Sequence, residues 1–177
     1  MMNAQNTAVL LILILTSGLS ALGLFVAPQF IEHNLFRPYW FLRKRQYDTV
    51  IMSGFVHADL AHLAFNMITF YSFGRLLEQR IGTVLFVILY VAGLLLSELG
   101  TYLKQRNNPD YATLGASGAI SAVLFASIVY FPGQSVYVFV PIPIPAPLFA
   151  IGYLAYTYYS ARHPHGRINH DAHLGGA

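Results

Sequence analysis

Charge is missing from long stretches of this chain, and that constrains its fold more than anything else in it. No Asp, Glu, Lys or Arg occurs before Glu32, and Thr7 to Ala27 is 21 residues of mostly apolar sequence. A membrane-spanning helix needs about 20 such residues. Further apolar segments follow at Leu60 to Leu77, Ile81 to Tyr102, Leu114 to Phe131, Leu148 to Ala161, and Ile168 to Ala177. Charged residues make up 10% of the chain, against about 25% in a soluble domain. Most of them collect between the apolar segments, with Arg75, Glu98 and Asp171 as exceptions. In hydrocarbon a backbone must satisfy its own hydrogen bonds, so these segments are expected to be helices. The fold class is therefore all-α: a polytopic membrane protein in one domain, 1–177, without internal repeats.

The connections carry their own signals. The first run is too long for the apolar core of a signal peptide, and no Lys or Arg precedes it, so it is read as a membrane helix. Ala27 to Val56 mixes Phe30, Ile31, Tyr39, Trp40 and Phe41 with Arg37, Arg43, Lys44 and Arg45. Aromatics beside cations suit the membrane interface, so this stretch is read as an interfacial loop with short amphipathic helices. Pro141, Pro143, Pro145 and Pro147 forbid an unbroken helix there. The last segment stops after ten residues, about 15 Å of helix, which reads as a truncated sixth span. The basic residues form no stripe with interleaved aromatics, so nucleic acid is not an expected partner. There is no cysteine, which excludes thiol catalysis and thiolate metal sites.

Two polar residues stand in small-residue runs at the starts of apolar segments. Ser117 lies in Gly115-Ala116-Ser117-Gly118, and His173 in Ala172-His173-Leu174-Gly175-Gly176. Gly115, Gly118, Ala119, Ala122 and Ala126 share one helical face. Ala172, Gly175 and Gly176 make a similar one. Small faces let membrane helices approach closely, here bringing Ser117 toward His173. Packing alone would explain either face; the matched Ser and His point further, to a hydroxyl nucleophile and the base that takes its proton. Ser117 at a helix N-terminus would also have free backbone N–H donors and a favourable dipole for an oxyanion. His62 and Asn66 lie four residues apart on one helix face and can serve as further donors. His57 falls in the preceding loop. A metal site at His163, His165, His170, Asp171 and His173 is disfavoured, since the chain has neither a His-Glu-x-x-His pair nor a thiol. Glu78 is expected to pair with Arg75, with Arg80 or with loop backbone. Glu98 is expected to be neutral or hydrogen-bonded to a neighbouring helix.

In these residues the chain resembles the rhomboid intramembrane serine proteases. The resemblance covers most of its length and rests on the Ser117 and His173 runs and on His57, His62 and Asn66 in order. Phe55, Gly74, Leu77-Glu78 and the Pro-Ile-Pro run at 141–143 add to it. It implies a six-helix bundle with spans near 7–27, 60–77, 81–102, 114–131, 148–161 and 168–177, the last partial. It implies a Ser–His dyad without a catalytic acid: Ser117 the nucleophile, His173 the general base. His62, Asn66 and the Ser117 N–H would form the oxyanion hole, beside Gly115, with His57 in support. Substrates would be single-span membrane proteins in a lipid bilayer, cut in or near the membrane. No cofactor or metal is implied. A small core of this kind suggests a bacterial inner membrane. The alternative reading is a catalytically weak or inactive rhomboid-like protein that binds membrane clients.

The sequence departs from the family pattern in two places. Asp48 and Thr49 stand where members often carry a Trp-Arg pair, implying a differently anchored loop. Ser121 stands one turn after Ser117, where many members place an aromatic against the catalytic imidazole. Charge also pulls against the resemblance. The connections after spans one, three and five hold Arg37, Arg43, Lys44, Arg45, Lys104, Arg106, Arg162 and Arg167, and the other side only Arg75 and Arg80. The positive-inside rule puts the first set in the cytoplasm; the family orientation puts it outside.

Overall fold

A computed structural model describes residues 6–137, 142–162 and 170–177, with side chains throughout except at His170 and Asp171. The expectations that fall on Pro141, His163, His165, Arg167 and Ile168 lie outside the described residues. Helix α1 (Thr7–Ala21) runs into a π-helical turn, Leu22–Val26. Two short helices, α2 (Pro28–Asn34) and α3 (Pro38–Arg43), each begin with proline, whose fixed φ and missing N–H suit a first helical position. A single turn, α4 (Thr49–Met52), leads into the 3₁₀ turn Ser53–Phe55. The connection read as interfacial is thus built from short helices.

Helix α5 (Leu60–Ile81) starts at an extended Asp59, whose carboxylate accepts the N–H of His62 at 2.8 Å. That is an N-cap satisfying one of the first-turn donors. Gly82, at φ +83°, ends α5 in a conformation that favours glycine, and α6 (Thr83–Gln105) follows at once. Helix α7 (Ser117–Tyr130), α8 (Ala146–Arg162) and α9 (His170–Gly176) complete the helices among the described residues.

The all-α expectation needs one amendment. Strands β1 (Ser135–Val136) and β2 (Ile144–Pro145) pair antiparallel between α7 and α8. Pro145 sits opposite Ser135, in a two-stranded ladder in which each strand is an edge strand among the described residues, where a missing N–H is tolerated.

Val9, Phe70, Phe86, Tyr90, Leu94 and Val123 form a buried apolar core drawn from α1, α5, α6 and α7. Gly93 of α6 brings it close to α7: a Cβ there would lie 2.5 Å from Ala122 Cβ. The outside is equally apolar. Leu11, Ile14, Val84, Ile88, Val129 and Ile151 are all more than half exposed, an exterior suited to lipid rather than water. Among the described residues, Thr7–Val26 and Thr83–Gln105 are long and apolar enough to cross a membrane.

Of the partners expected for Glu78, the structure shows backbone, at the start of a helix rather than in a loop. The Glu78 carboxylate accepts the N–H groups of Ala8 and Val9 at 3.0 and 2.9 Å, and the Thr83 hydroxyl at 2.8 Å. First-turn N–H groups have no intrahelical acceptor, and the positive end of the helix dipole favours a carboxylate. Glu78, 1% exposed, therefore fastens the start of α1 to the end of α5. Glu98 is buried in α6 with the Ser53 hydroxyl 3.5 Å from one carboxylate oxygen, a contact with a neighbouring element as expected.

Candidate active site

His57 is fully buried between α1 and α5. Its Nε2 lies 2.9 Å from the Asn66 amide nitrogen and its Nδ1 3.1 Å from the Ser20 hydroxyl. An amide nitrogen only donates, so Nε2 accepts and the ring proton sits on Nδ1. Nδ1–H then donates to Ser20, whose own hydroxyl donates to the Phe55 carbonyl at 3.3 Å. Burial, with the neighbouring His62 adding to it, pushes His57 down to about 3. The ring is neutral at physiological pH and acts as a fixed acceptor. Asn66, itself buried, is held by it with the amide nitrogen turned toward the ring.

His62 stands one turn from Asn66 on α5, half-buried, with its ring edge-on to His57 at 4.8 Å. Its other neighbour is Gly115. A Cβ at Gly115 would lie 2.7 Å from His62 Cε1, and the residue adopts φ +114°. Sterics and backbone thus both call for glycine here. The Gly115 N–H donates to the Ser53 carbonyl at 2.8 Å. Two further backbone bonds, Phe36 N–H to Thr113 O at 2.9 Å and Thr113 N–H to Phe36 O at 3.0 Å, tie the approach to Ser117 to the first connection. The Trp40 indole N–H donates to the Pro109 carbonyl at 3.2 Å. Without a Trp-Arg pair at positions 48 and 49, the loop is held by these bonds.

Ser117 is the first residue of α7, half-buried, after an N-cap residue, Ala116, that has no side-chain acceptor. The start of α7 is crossed by α9. A Cβ on Gly118 would run into the Ser97 side chain of α6 and lie 3.2 Å from the Ala172 carbonyl. One on Gly176 would collide with the Gly118 carbonyl, and one on Gly175 would lie 2.8 Å from Ser97 Cα. Three helices therefore meet through glycines at the residue after Ser117, and His173 is the residue after Ala172. The His173 ring stacks on Tyr153 of α8, with centroids 6.1 Å apart and planes 23° from parallel.

The six residues singled out from sequence thus form two groups. His57, His62, Asn66 and Gly115 touch in sequence. Ser117 and His173 belong to the α7–α9 junction. Sequence reasoning missed Ser20 and Tyr153. Ser20 had a readable signal: with Thr16 it makes an i, i+4 polar pair in a run whose remaining polar residues are Thr7 and Ser17. Tyr153 had none, being one of four tyrosines in Tyr153–Tyr159.

The rhomboid domain model matches residues 44–177, the stretch that carries all six residues. The chain belongs to the rhomboid family. Among relatives of this rhomboid chain, the RHOMBOID-like protein 12, mitochondrial, of Arabidopsis thaliana is 28% identical over 98% of this chain and 56% of its own length. Rhomboid protein 1, mitochondrial, of Saccharomyces cerevisiae is 31% identical over 73% of this chain and 38% of its own. "Putative rhomboid protease YdcA" of Bacillus subtilis is 35% identical over 37% of this chain and 32% of its own. The chain thus spans from about a third to just over half of the length of these relatives. Mitochondrial names stand among them, so a small rhomboid core does not single out a bacterial inner membrane. The family is one of membrane proteins, in keeping with the apolar exterior.

Proposed function

We propose that this rhomboid chain is a serine endopeptidase that works within the membrane on single-span membrane proteins. In this reading α1, α5, α6, α7, α8 and α9 are six membrane helices of a single domain. Ser117 attacks the scissile carbonyl, and His173 takes the hydroxyl proton and later delivers it to the leaving amine. The carbonyl oxygen, as it becomes an oxyanion, accepts hydrogen bonds from the Ser117 N–H, the His62 ring and the second N–H of the Asn66 amide. Gly115 leaves room for that oxygen beside His62. His57 supports the site by holding Asn66. No metal or cofactor takes part. A helical peptide bond is shielded by its own turn, so the substrate must unwind locally to be cut.

The observation that carries this reading is the three-helix junction at Gly118. Nothing in general packing demands that glycines on α7 and α9 meet beside a serine on one helix and a histidine on the other. Half-burial of Ser117, His62 and His173 also suits groups that water and substrate must reach, whereas His57 and Asn66 are sealed.

A fluorophosphonate probe, which labels activated serines, tests it on the purified chain in lipid vesicles. Ser117→Ala and His173→Ala are expected each to lower labelling by about a thousand-fold or more while the protein stays folded. Equal cleavage of a single-span substrate by wild type and both variants overturns the assignment. Absence of labelling in folded wild-type protein favours the client-binding alternative.

A further inference from the structure

We propose that Tyr153 is the positioning residue for His173: it sets the plane of the imidazole from α8 and ties it to the Ser117 backbone through Ser121. This rests on the reading of Ser117 and His173 as nucleophile and base.

The proton count along the chain of contacts is fixed. Ser121 donates its hydroxyl hydrogen to the Ser117 carbonyl at 2.9 Å, a partner that can accept and not donate. Its oxygen lies 3.2 Å from the Tyr153 hydroxyl. With the Ser121 hydrogen committed, Tyr153 must be the donor. A directed run of hydrogen bonds therefore leads from Tyr153 through Ser121 to the carbonyl of Ser117. The other face of the device is the stack of Tyr153 on His173. The tyrosine ring is braced in turn by Phe125 at 5.7 Å and Phe149 at 5.9 Å.

An imidazole turns easily about χ2, because such terminal torsions are broad. A base must present one nitrogen to the serine, and small misplacements are costly in rate. Serine at position 121 is too short to cover the imidazole itself. It serves instead as the hydrogen-bond relay, and the covering ring comes from α8. The hydroxyl of Tyr153, bonded to Ser121 of α7, holds α8 against α7 and keeps the stack in register with Ser117. Tyr153 is absent from the main apolar core, and only Ala146 and Thr157 are buried on α8. Its loss should therefore change the rate more than the stability.

The test compares wild type, Ser117→Ala, Tyr153→Leu, Tyr153→Phe and the double variant Tyr153→Leu/Ser121→Phe in lipid vesicles. Readouts are fluorophosphonate labelling rate against pH, kcat and KM on a single-span substrate, and thermal midpoint. Tyr153→Leu is expected to slow labelling and kcat by about 10–100-fold, with KM unchanged and the acid limb of the pH profile shifted. Tyr153→Phe keeps the stack and should lose about 5-fold or less on the scale of a single neutral hydrogen bond. The double variant, with a ring restored one turn after Ser117, should recover part of the Tyr153→Leu loss. Wild-type rates and an unmoved acid limb in Tyr153→Leu overturn the proposal. So do losses that follow the thermal midpoint in every variant, since that is merely structural damage. Should Tyr153→Leu not fold, Tyr153→Met replaces it and is judged on the same limb. If wild type labels no faster than Ser117→Ala, the dyad reading itself has failed, and Tyr153 has no base to position.

Discussion

On the α5 side of the site, His57 and Asn66 are buried and joined to Ser20 and Phe55 by hydrogen bonds of 2.9–3.3 Å. On the α7–α9 side, helices meet where even one added methyl has no room, at Gly118, Gly175 and Gly176. The first arrangement is polar and chemical, so each change removes a partner and leaves another unsatisfied. The second is steric, and it fails as a unit when anything is added. A membrane protein has reason to use both. Water adds little to the attraction between helices in lipid, so close approach of small residues must supply the packing. Buried polar groups, once satisfied, then fix orientation.

The contrast breaks most visibly at Gly118. Gly118→Val would push Ser97 and the Ala172 carbonyl apart, one of them backbone, and is expected to cost about 3 kcal/mol, with activity lost. A steric-unfolding measurement in mild detergent checks this; a variant of wild-type stability would mean that α9 does not pack on α7 as described.

The polar side responds to acid instead. His57 has its folded value at about 3, below the ordinary 6.5 of an exposed histidine, so the unfolded chain binds more protons between those values. Stability is complete above about pH 6.5 and falls as pH drops toward 3, by about 2 kcal/mol on reaching pH 5. Unfolding of wild type and His57→Gln across pH 7 to 5 measures it. The substituted chain should show a flatter slope, and an equal slope would assign the acid sensitivity to other groups.

The smallest effect is expected from Ser20→Ala, which strips the Nδ1–H of its acceptor without adding bulk. It should cost about 1–2 kcal/mol and lower turnover only modestly, through looser hold on Asn66. Thermal unfolding and kcat of this variant against wild type check it, and a loss as large as that of Gly118→Val would erase the distinction between the two sides.

Much of this was readable in the chain itself. Charge-poor apolar runs located the helices because lipid leaves the backbone no other partner. The candidate site residues were readable because Ser, His and Asn are out of place in such runs. Glu78 was readable only as a carboxylate just past the second span, with Arg75, Arg80 or loop backbone as its expected partners. Its partners, Ala8 and Val9, lie some seventy residues away, and backbone N–H groups carry no sequence signature. The β1–β2 ladder was hidden for a similar reason, since prolines argue against helix but do not specify a pairing.

What covers the His173 imidazole was decided by tertiary structure alone. The sequence shows a serine at 121 and a cluster of tyrosines thirty residues on, with no periodicity that selects Tyr153. Side-chain identity and local spacing determine which segments are helical and which residues can do chemistry. The contact between Tyr153 and His173 depends on how α8 and α9 cross α7. That crossing is set by many small steric fits at once, which no single residue records.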